Sequence, residues 1–258
     1  MDFIITPYTY LIILPLIFLA GLVDAIAGGG GLISVPAYLV AGLPPHIALG
    51  NNKMSSFFGT LFSTIRYFKH GMIDLPVAGT SAVFALLGSN LGTRSVLSLN
   101  PYFLNYILLI LLPLITIFTL INKNIGTHNH SHLISLKKRI FYAILAGLII
   151  GFYDGFFGPG TGAFLILIFT ILMKYDFIVA NGNTKVINLA SNAAALFTFI
   201  VHGKIIFAIG IPAAIFGIAG NLVGSQHVIK NGNKLIRPIF LTVFIMLFLK
   251  ILWDIIKS

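Results

Sequence analysis

Gly21-Leu-Val-Asp24-Ala-Ile-Ala-Gly28-Gly29-Gly30-Gly31 returns later as Gly151-Phe-Tyr-Asp154-Gly-Phe-Phe-Gly158-Pro159-Gly160-Thr161. Each copy closes a long apolar run with one carboxylate and a cluster of helix-breaking glycines. The two are in register, since 154 − 24 and 158 − 28 both equal 130. A charge followed by broken backbone is costly inside apolar sequence. In lipid, irregular backbone survives only where it is buried in protein or lines a cavity. The two breaks are therefore expected to wall one substrate site.

The surrounding composition sets the class. Of 258 residues, 58% are hydrophobic and only 9% charged, with a mean hydropathy of +1.01. Soluble domains carry about 25% charged residues. Several continuous apolar runs near 20 residues predict an all-α, polytopic helical membrane protein. Membrane barrels alternate apolar and polar residues, and these runs do not. The chain has no cysteine, which excludes disulfides, thiolate metal sites and a catalytic thiol. A net charge of +10 could suggest nucleic acid, but Lys and Arg sit mostly at the ends of apolar runs, as the positive-inside rule requires. No nucleic-acid partner is expected. The first residues, Met1-Asp-Phe-Ile-Ile-Thr, carry no basic group and read as the start of a spanning helix, not a cleaved leader.

Taken in order, the chain predicts a helix over 8–26 with Pro15 as a kink, a break at 28–31, and a short piece over 32–43 ended by Pro44-Pro45. Some 12 residues rise about 18 Å, too little for a hydrocarbon core of about 30 Å, so this is a half-helix. Helices over 46–68, 76–98 and 102–121 complete a first membrane repeat, residues 1–121. The polar stretch 122–139 holds Lys123, Lys137, Lys138 and Arg139 and is expected to be a cytoplasmic linker. Its His128, His130 and His132 read as a solvated loop, not a metal site. The second repeat, 140–258, predicts segments over 140–157, 162–175, 181–201, 206–228 and 236–256. After the half-helix the offset becomes 132: Lys53 matches Lys185, and Gly88 and Gly92 match Gly220 and Gly224. Five segments per repeat is an odd number, which inserts the second copy upside down, an inverted repeat; if both half-helices are re-entrant, each half has an even number of crossings and the repeats are parallel. With the linker inside, Lys204 is the single cation expected outside.

Two features carry the expected chemistry. The glycine breaks, Gly28, Gly29, Gly30 and Gly31 with Gly158, Gly160 and Thr161, allow close backbone approach and free the N–H groups of the following half-helix for an anion. Two polar helices match each other. Asn51, Asn52, Lys53 and Ser56 lead to Thr60, Ser63 and Tyr67 on one face, and Asn183, Thr184 and Lys185 lead to Asn188 and Asn192. An intramembrane lysine is a functional candidate. Its bland reading is a side chain that snorkels to the interface. Asp24 and Asp154 read either as proton carriers, because burial favours the neutral carboxyl, or as partners for a lysine or the loop amides. Gly88, Gly92, Gly220 and Gly224 read as close-packing positions.

The same stretches, with Ala41-Gly-Leu-Pro-Pro-His-Ile-Ala-Leu-Gly-Asn-Asn-Lys53, resemble the TauE/SafE sulfite exporter family, the TSUP permeases, almost from end to end. The resemblance implies a bacterial inner-membrane permease with two homologous halves. Members move sulfite, thiosulfate, sulfonates or other organosulfur or carboxylate anions, at a site built from the glycine loops and the Asn-Lys and Thr-Lys segments. Asn181-Gly-Asn-Thr-Lys185 departs from the Ala-His-Thr-Lys expected there, with Thr-Lys intact. The expected function is thus a secondary transporter for a small anion, by alternating access at a midplane site. Its expected partners are that anion and the lipid bilayer, with a homodimer as a further candidate. No cofactor, metal or catalytic residue is implied. The competing readings are an anion channel and an intramembrane aspartyl enzyme, the latter resting only on Tyr153-Asp154.

Overall fold

A computed structural model describes residues 5–98 and 126–236, together with 238, 239, 242 and 245. The expected helix over 102–121, most of that over 236–256, and Lys123 lie outside the described residues. The first half contains α1 (Pro7–Ala27), α2 (Gly31–Val40), α3 (Pro45–Lys69) and α4 (Leu75–Ser98). The second contains α5 (Leu136–Phe156), α6 (Thr161–Leu172), α7 (Phe177–Val201) and α8 (Phe207–Asn231). The described residues form helices and connections only, and α1, α4, α5, α7 and α8 are each long and apolar enough to cross a membrane.

Local chemistry sets the boundaries. Thr6 and Thr9 form a capping box at the start of α1, with a proline in its first turn. Gly28, at φ 72°, ends it in the left-handed conformation, and its N–H bonds Asp24 O. The short helices have 10 and 12 residues, about 15 and 18 Å. Two helices start earlier than expected. Helix α5 begins at Leu136, not 140, so Lys137, Lys138 and Arg139 belong to its first turns. Helix α7 begins at Phe177, not 181, because the Asp176 side chain accepts from Val179 N and caps it. Helix α3 has 25 residues but is absent from the five apolar helices. Its buried face carries Asn51, Asn52, Lys53, Ser55, Thr60 and Ser63, and those polar groups are covered by protein.

Contacts at successive levels fix the helix directions. Tyr10 of α1 donates to Ala208 O near the start of α8. Further along, Cβ atoms on Gly220 and Gly224 would strike Phe18 and Leu22 of α1. Helix α3 follows α8 in the same sense, from Gly50 against Lys204 to Gly59 against Asn221. Helices α1, α3 and α8 are therefore parallel. In the same way α4 parallels α5, with Gly88 against Leu148 and Gly92 against Phe152. It also parallels α7, with Asp74 N on Asn183 and Ser89 on Ser191. The two sets oppose each other: Lys53 meets Asn192, whereas Tyr67 and Asn181 both reach Ala25 O. Helices α1, α3 and α4 thus run opposite in sense to α5, α7 and α8 respectively. Helix α2 folds back along α1, with Tyr38 buried beside Ile13, Ile17, Leu43 and Ala48 near the start of α3. Gly88 on Leu148 and Gly220 on Phe18 are the same contact made at offsets of 132 and 130, so packing repeats along with sequence.

One end of the molecule gathers the linker, the start of α5 and the ends of α3 and α8. His130 N donates to Lys174 O, and Asn233 donates to Thr127 O. Lys69, Lys137, Lys138, Arg139, Lys174 and Lys230 lie at this end. Lys204 lies at the other, but so does Arg94, four residues before α4 ends, so Lys204 is not the single exception. His128, His130 and His132 are exposed with neighbouring ring centroids 6.3 and 6.2 Å apart. Among the described residues, no group of three or more metal-binding side chains is assembled.

Candidate functional site

The glycine breaks meet. A Cβ on Gly28 would collide with the backbone of Gly162, and one on Gly31 would lie 2.9 Å from Pro159 Cα. Gly158 and Gly160, at φ 96° and 83°, hold the second break in a conformation glycine adopts without strain. Thr161 donates to Gly158 O at 2.7 Å and closes that turn. The carbonyls that the first break leaves without helical partners are satisfied from elsewhere. Ala25 O accepts from Tyr67 and Asn181, and Ile26 O accepts from Asn181.

Both lysines are buried here, Lys53 2% and Lys185 0% exposed, so neither snorkels. Their counter-ions are exchanged between halves. Lys53 Nζ lies 2.9 Å from Asp154 Oδ1, and Lys185 Nζ 2.9 Å from Asp24 Oδ2. A buried ion pair holds only when further hydrogen bonds complete it. The first pair is complete: Lys53 donates to Asn192 Oδ1 at 3.1 Å, and Ser191 donates to Asp154 Oδ2 at 2.5 Å. In the second, Lys185 also donates to Asp24 O, but Asp24 Oδ1 has no hydrogen bond among the described residues. The Asp24 side chain is also more open, 18% exposed against 6% for Asp154. Two ammonium groups and two carboxylates leave the cluster neutral, so an anion gains a lysine only when a carboxylate withdraws or is protonated.

Asp24 borders a small crevice of about 10 Å³ between α1, α2, α3 and α8, with polar and apolar walls. Gly30, Ser34, Ser55, Ser56 and Asn221 line it with Ile17, Ala20, Gly21 and Gly217. Ser34 and Ser56 both donate to Asn52 Oδ1, at 2.5 and 3.4 Å. Asn221 is buried and its Oδ1 is unpartnered.

The predicted site residues therefore separate into groups. Asp24, Lys53, Asp154, Lys185 and Asn192 come together in the ion pairs, with Gly158 against Lys53 Nζ. Gly28, Gly30, Gly31, Gly160 and Thr161 form the touching breaks beside Gly29. Asn188 lies against Gly162, and Asn52 and Ser56 border the crevice. Thr184 is buried in α7 with an unpartnered hydroxyl. Asn51 and Asn183 are placed differently. Asn51 donates to Ile47 O, and Asn183 accepts from Asp74 N to hold the α3–α4 turn. Sequence reasoning missed Ser34, Ser55, Asn221 and Gly217 as one lining. A single Ser in an apolar half-helix carries little signal, but Asn221 inside Gly220-Asn-Leu-Val-Gly224, a polar amide in a close-packing stripe, could have been found.

A profile of the family described as Sulfite exporter TauE/SafE matches residues 13–251. A probable membrane transporter protein, ORF9, from Sinorhizobium sp. is 37% identical over 242 residues, covering 92% of this chain and 90% of the relative. The probable membrane transporter protein YfcA of Escherichia coli strain K12 is 32% identical over 255 residues, 98% of this chain and 93% of its own length. A probable membrane transporter protein of Haemophilus influenzae is 32% identical over 237 residues, with 92% of each chain covered. No solved structure gives a significant match. The family and these relatives are named for transport, not for catalysis.

Proposed function

The chain belongs to the TauE/SafE sulfite exporter family and is a membrane transporter, and from that footing we propose that it is a secondary carrier for a small anion. The class is sulfite, thiosulfate, a sulfonate or another organosulfur or carboxylate compound. One observation carries the reading: two lysines, buried at matched positions beside the glycine breaks, are held by aspartates from the opposite half. An incoming anion competes with a carboxylate for an ammonium group and is charge-matched by it. Protonation of whichever carboxylate the anion displaces would tie anion movement to a proton, and that one carboxylate of the two candidates, Asp24 and Asp154, is the carrier.

Two membrane repeats, 1–121 and 140–258, form an inverted pair about an axis in the membrane plane, with 122–139 as the cytoplasmic linker. Rocking of one repeat against the other around the broken helices gives alternating access. The opposed directions of matched helices support this reading. The test is flux of sulfite, thiosulfate and short sulfonates into vesicles reconstituted with the purified protein. The expected result is slow, saturable uptake, reduced roughly tenfold or more by Lys185→Ala, since each tenfold loss equals about 1.4 kcal/mol of binding. Absence of saturable flux for all these anions, or single-channel currents in their place, overturns the carrier reading.

A further inference from the structure

The two halves repeat each other in sequence and packing, but among the described residues the lining of the crevice does not repeat. With the offsets of 130 and 132, the lining of the crevice can be carried onto the other half. Asp24 maps to Asp154, Ser34 to Phe164, Ser55 to Ile187 and Asn221 to Ser89. Phe164 and Ile187 belong to the main apolar core, 7% and 0% exposed, and the Phe164 ring packs edge-on to Tyr153 at 5.6 Å. At two of the matching positions the side chain is therefore packed into the core, while the position of Ser56 holds the buried amide of Asn188. Ser89, in place of Asn221, donates its hydroxyl to Ser191 O at 2.6 Å and is consumed by helix packing.

The ion pairs share this asymmetry. Asp154 has both oxygens engaged, by Lys53 and Ser191. Asp24 has one oxygen on Lys185 and borders the crevice. A buried Oδ1 without a partner among the described residues occurs on both sides, at Asn221 on the crevice and at Asn188 opposite, so the difference lies in the two carboxylates.

We propose that the site is one-sided: the head group of the anion enters the first-half crevice and takes the Lys185 ammonium from Asp24, while Lys53–Asp154 is a fixed strut. This rests on the anion-carrier reading for its ligand and on geometry alone for its location. Ser34, Ser55, Ser56 and Asn221 then surround the bound group and set which anions fit. Asp24 is the carboxylate that moves.

The native chain has no cysteine, so single cysteines can be read directly in the full-length protein. Ser56→Cys and its counterpart Asn188→Cys, purified in detergent, are treated with the anionic thiol reagent sulfonatoethyl methanethiosulfonate. Ser56→Cys is expected to react at least about tenfold faster, because a filled position reacts only through local opening. The pair Ser55→Cys and Ile187→Cys gives the same reading if either first variant fails to run as a single species. Ethanesulfonate, which unlike sulfite or thiosulfate neither consumes the reagent nor cleaves the mixed disulfide, is expected to slow the reaction at Ser56→Cys, and adding Asp24→Asn lowers the concentration required, since Lys185 is then unpaired. Equal labelling at matched positions overturns the one-sided site and leaves the carrier reading intact. One-sided labelling that neither ethanesulfonate nor acetate slows overturns the carrier reading and leaves the crevice standing.

Discussion

Lys53 and Asp154 form a buried ion pair at 2.9 Å that Asn192 and Ser191 complete. Removing one partner leaves a buried, uncompensated charge, whereas removing both leaves apolar space that can be packed. Asp154→Ala is therefore expected to lower stability by about 3–5 kcal/mol, read as the shift in unfolding in detergent. Combining Lys53→Met with Asp154→Leu is expected to recover most of that loss. Asp24→Asn should cost less, because its side chain is partly open and only one oxygen is held. These four residues are legible in the sequence as matched charges within apolar runs. Their pairing is not. Spacing places Asp24 and Lys53 in one copy, and only the tertiary meeting of Asp24 with Lys185, and of Asp154 with Lys53, decides that each carboxylate serves the other copy's lysine. Ser34 and Asn221 are hidden for a different reason: one polar residue on an apolar helix has no periodicity to betray it.

Each glycine break turns a continuous apolar run into a long helix and a short return. Gly28 is required twice, by its left-handed φ of 72° and by the backbone of Gly162 where its Cβ would stand. Gly28→Ala is expected to cost at least about 1–3 kcal/mol from backbone strain alone, and to separate the two breaks. Gly79 lies within α4, and a methyl group added there would meet nothing within 4 Å. Gly79→Ala is expected to stabilise by up to about 1 kcal/mol. Comparing the two unfolding transitions separates a glycine needed for shape from one that only adds chain entropy. The long and short helices are readable from glycine clusters and prolines. The early start of α7 escapes an apolar pattern because a polar residue, Asp176, sets it as a cap. That of α5 escapes because three cations, which resemble a loop, form its first turns. The turn of α2 back along α1 comes from Tyr38 packing beside Ile13 and Ile17, a tertiary contact that no local pattern encodes.

The two ends of the molecule are held by different forces. At the linker end Arg139 reaches Asp74 Oδ2 at 2.6 Å and the Tyr175 hydroxyl at 2.8 Å, and Tyr175 donates to the same carboxylate oxygen at 2.5 Å. The opposite end is closed by apolar packing around Leu43, Ile206 and Ile209. Burial pushes the Tyr175 hydroxyl up, so it remains a donor well above neutral pH. Its raised value in the folded protein means that its contribution is whole below about 10, the ordinary tyrosine value, and declines as the pH rises further. Unfolding followed from about pH 8 to 11 should show that decline in the native chain and a smaller one in Tyr175→Phe. Between these ends, the exchange of counter-ions has its own consequence. Neither the chain up to residue 121 nor the chain from 122 onward neutralises its own buried charges. Expressed alone, each should be cleared by proteolysis, and co-expression as two polypeptides should rescue both. The arrangement is also self-complementary. A lone ancestral half bearing one acid and one base at these places would be unsatisfied by itself, yet fully balanced by a second molecule of itself inserted the other way up.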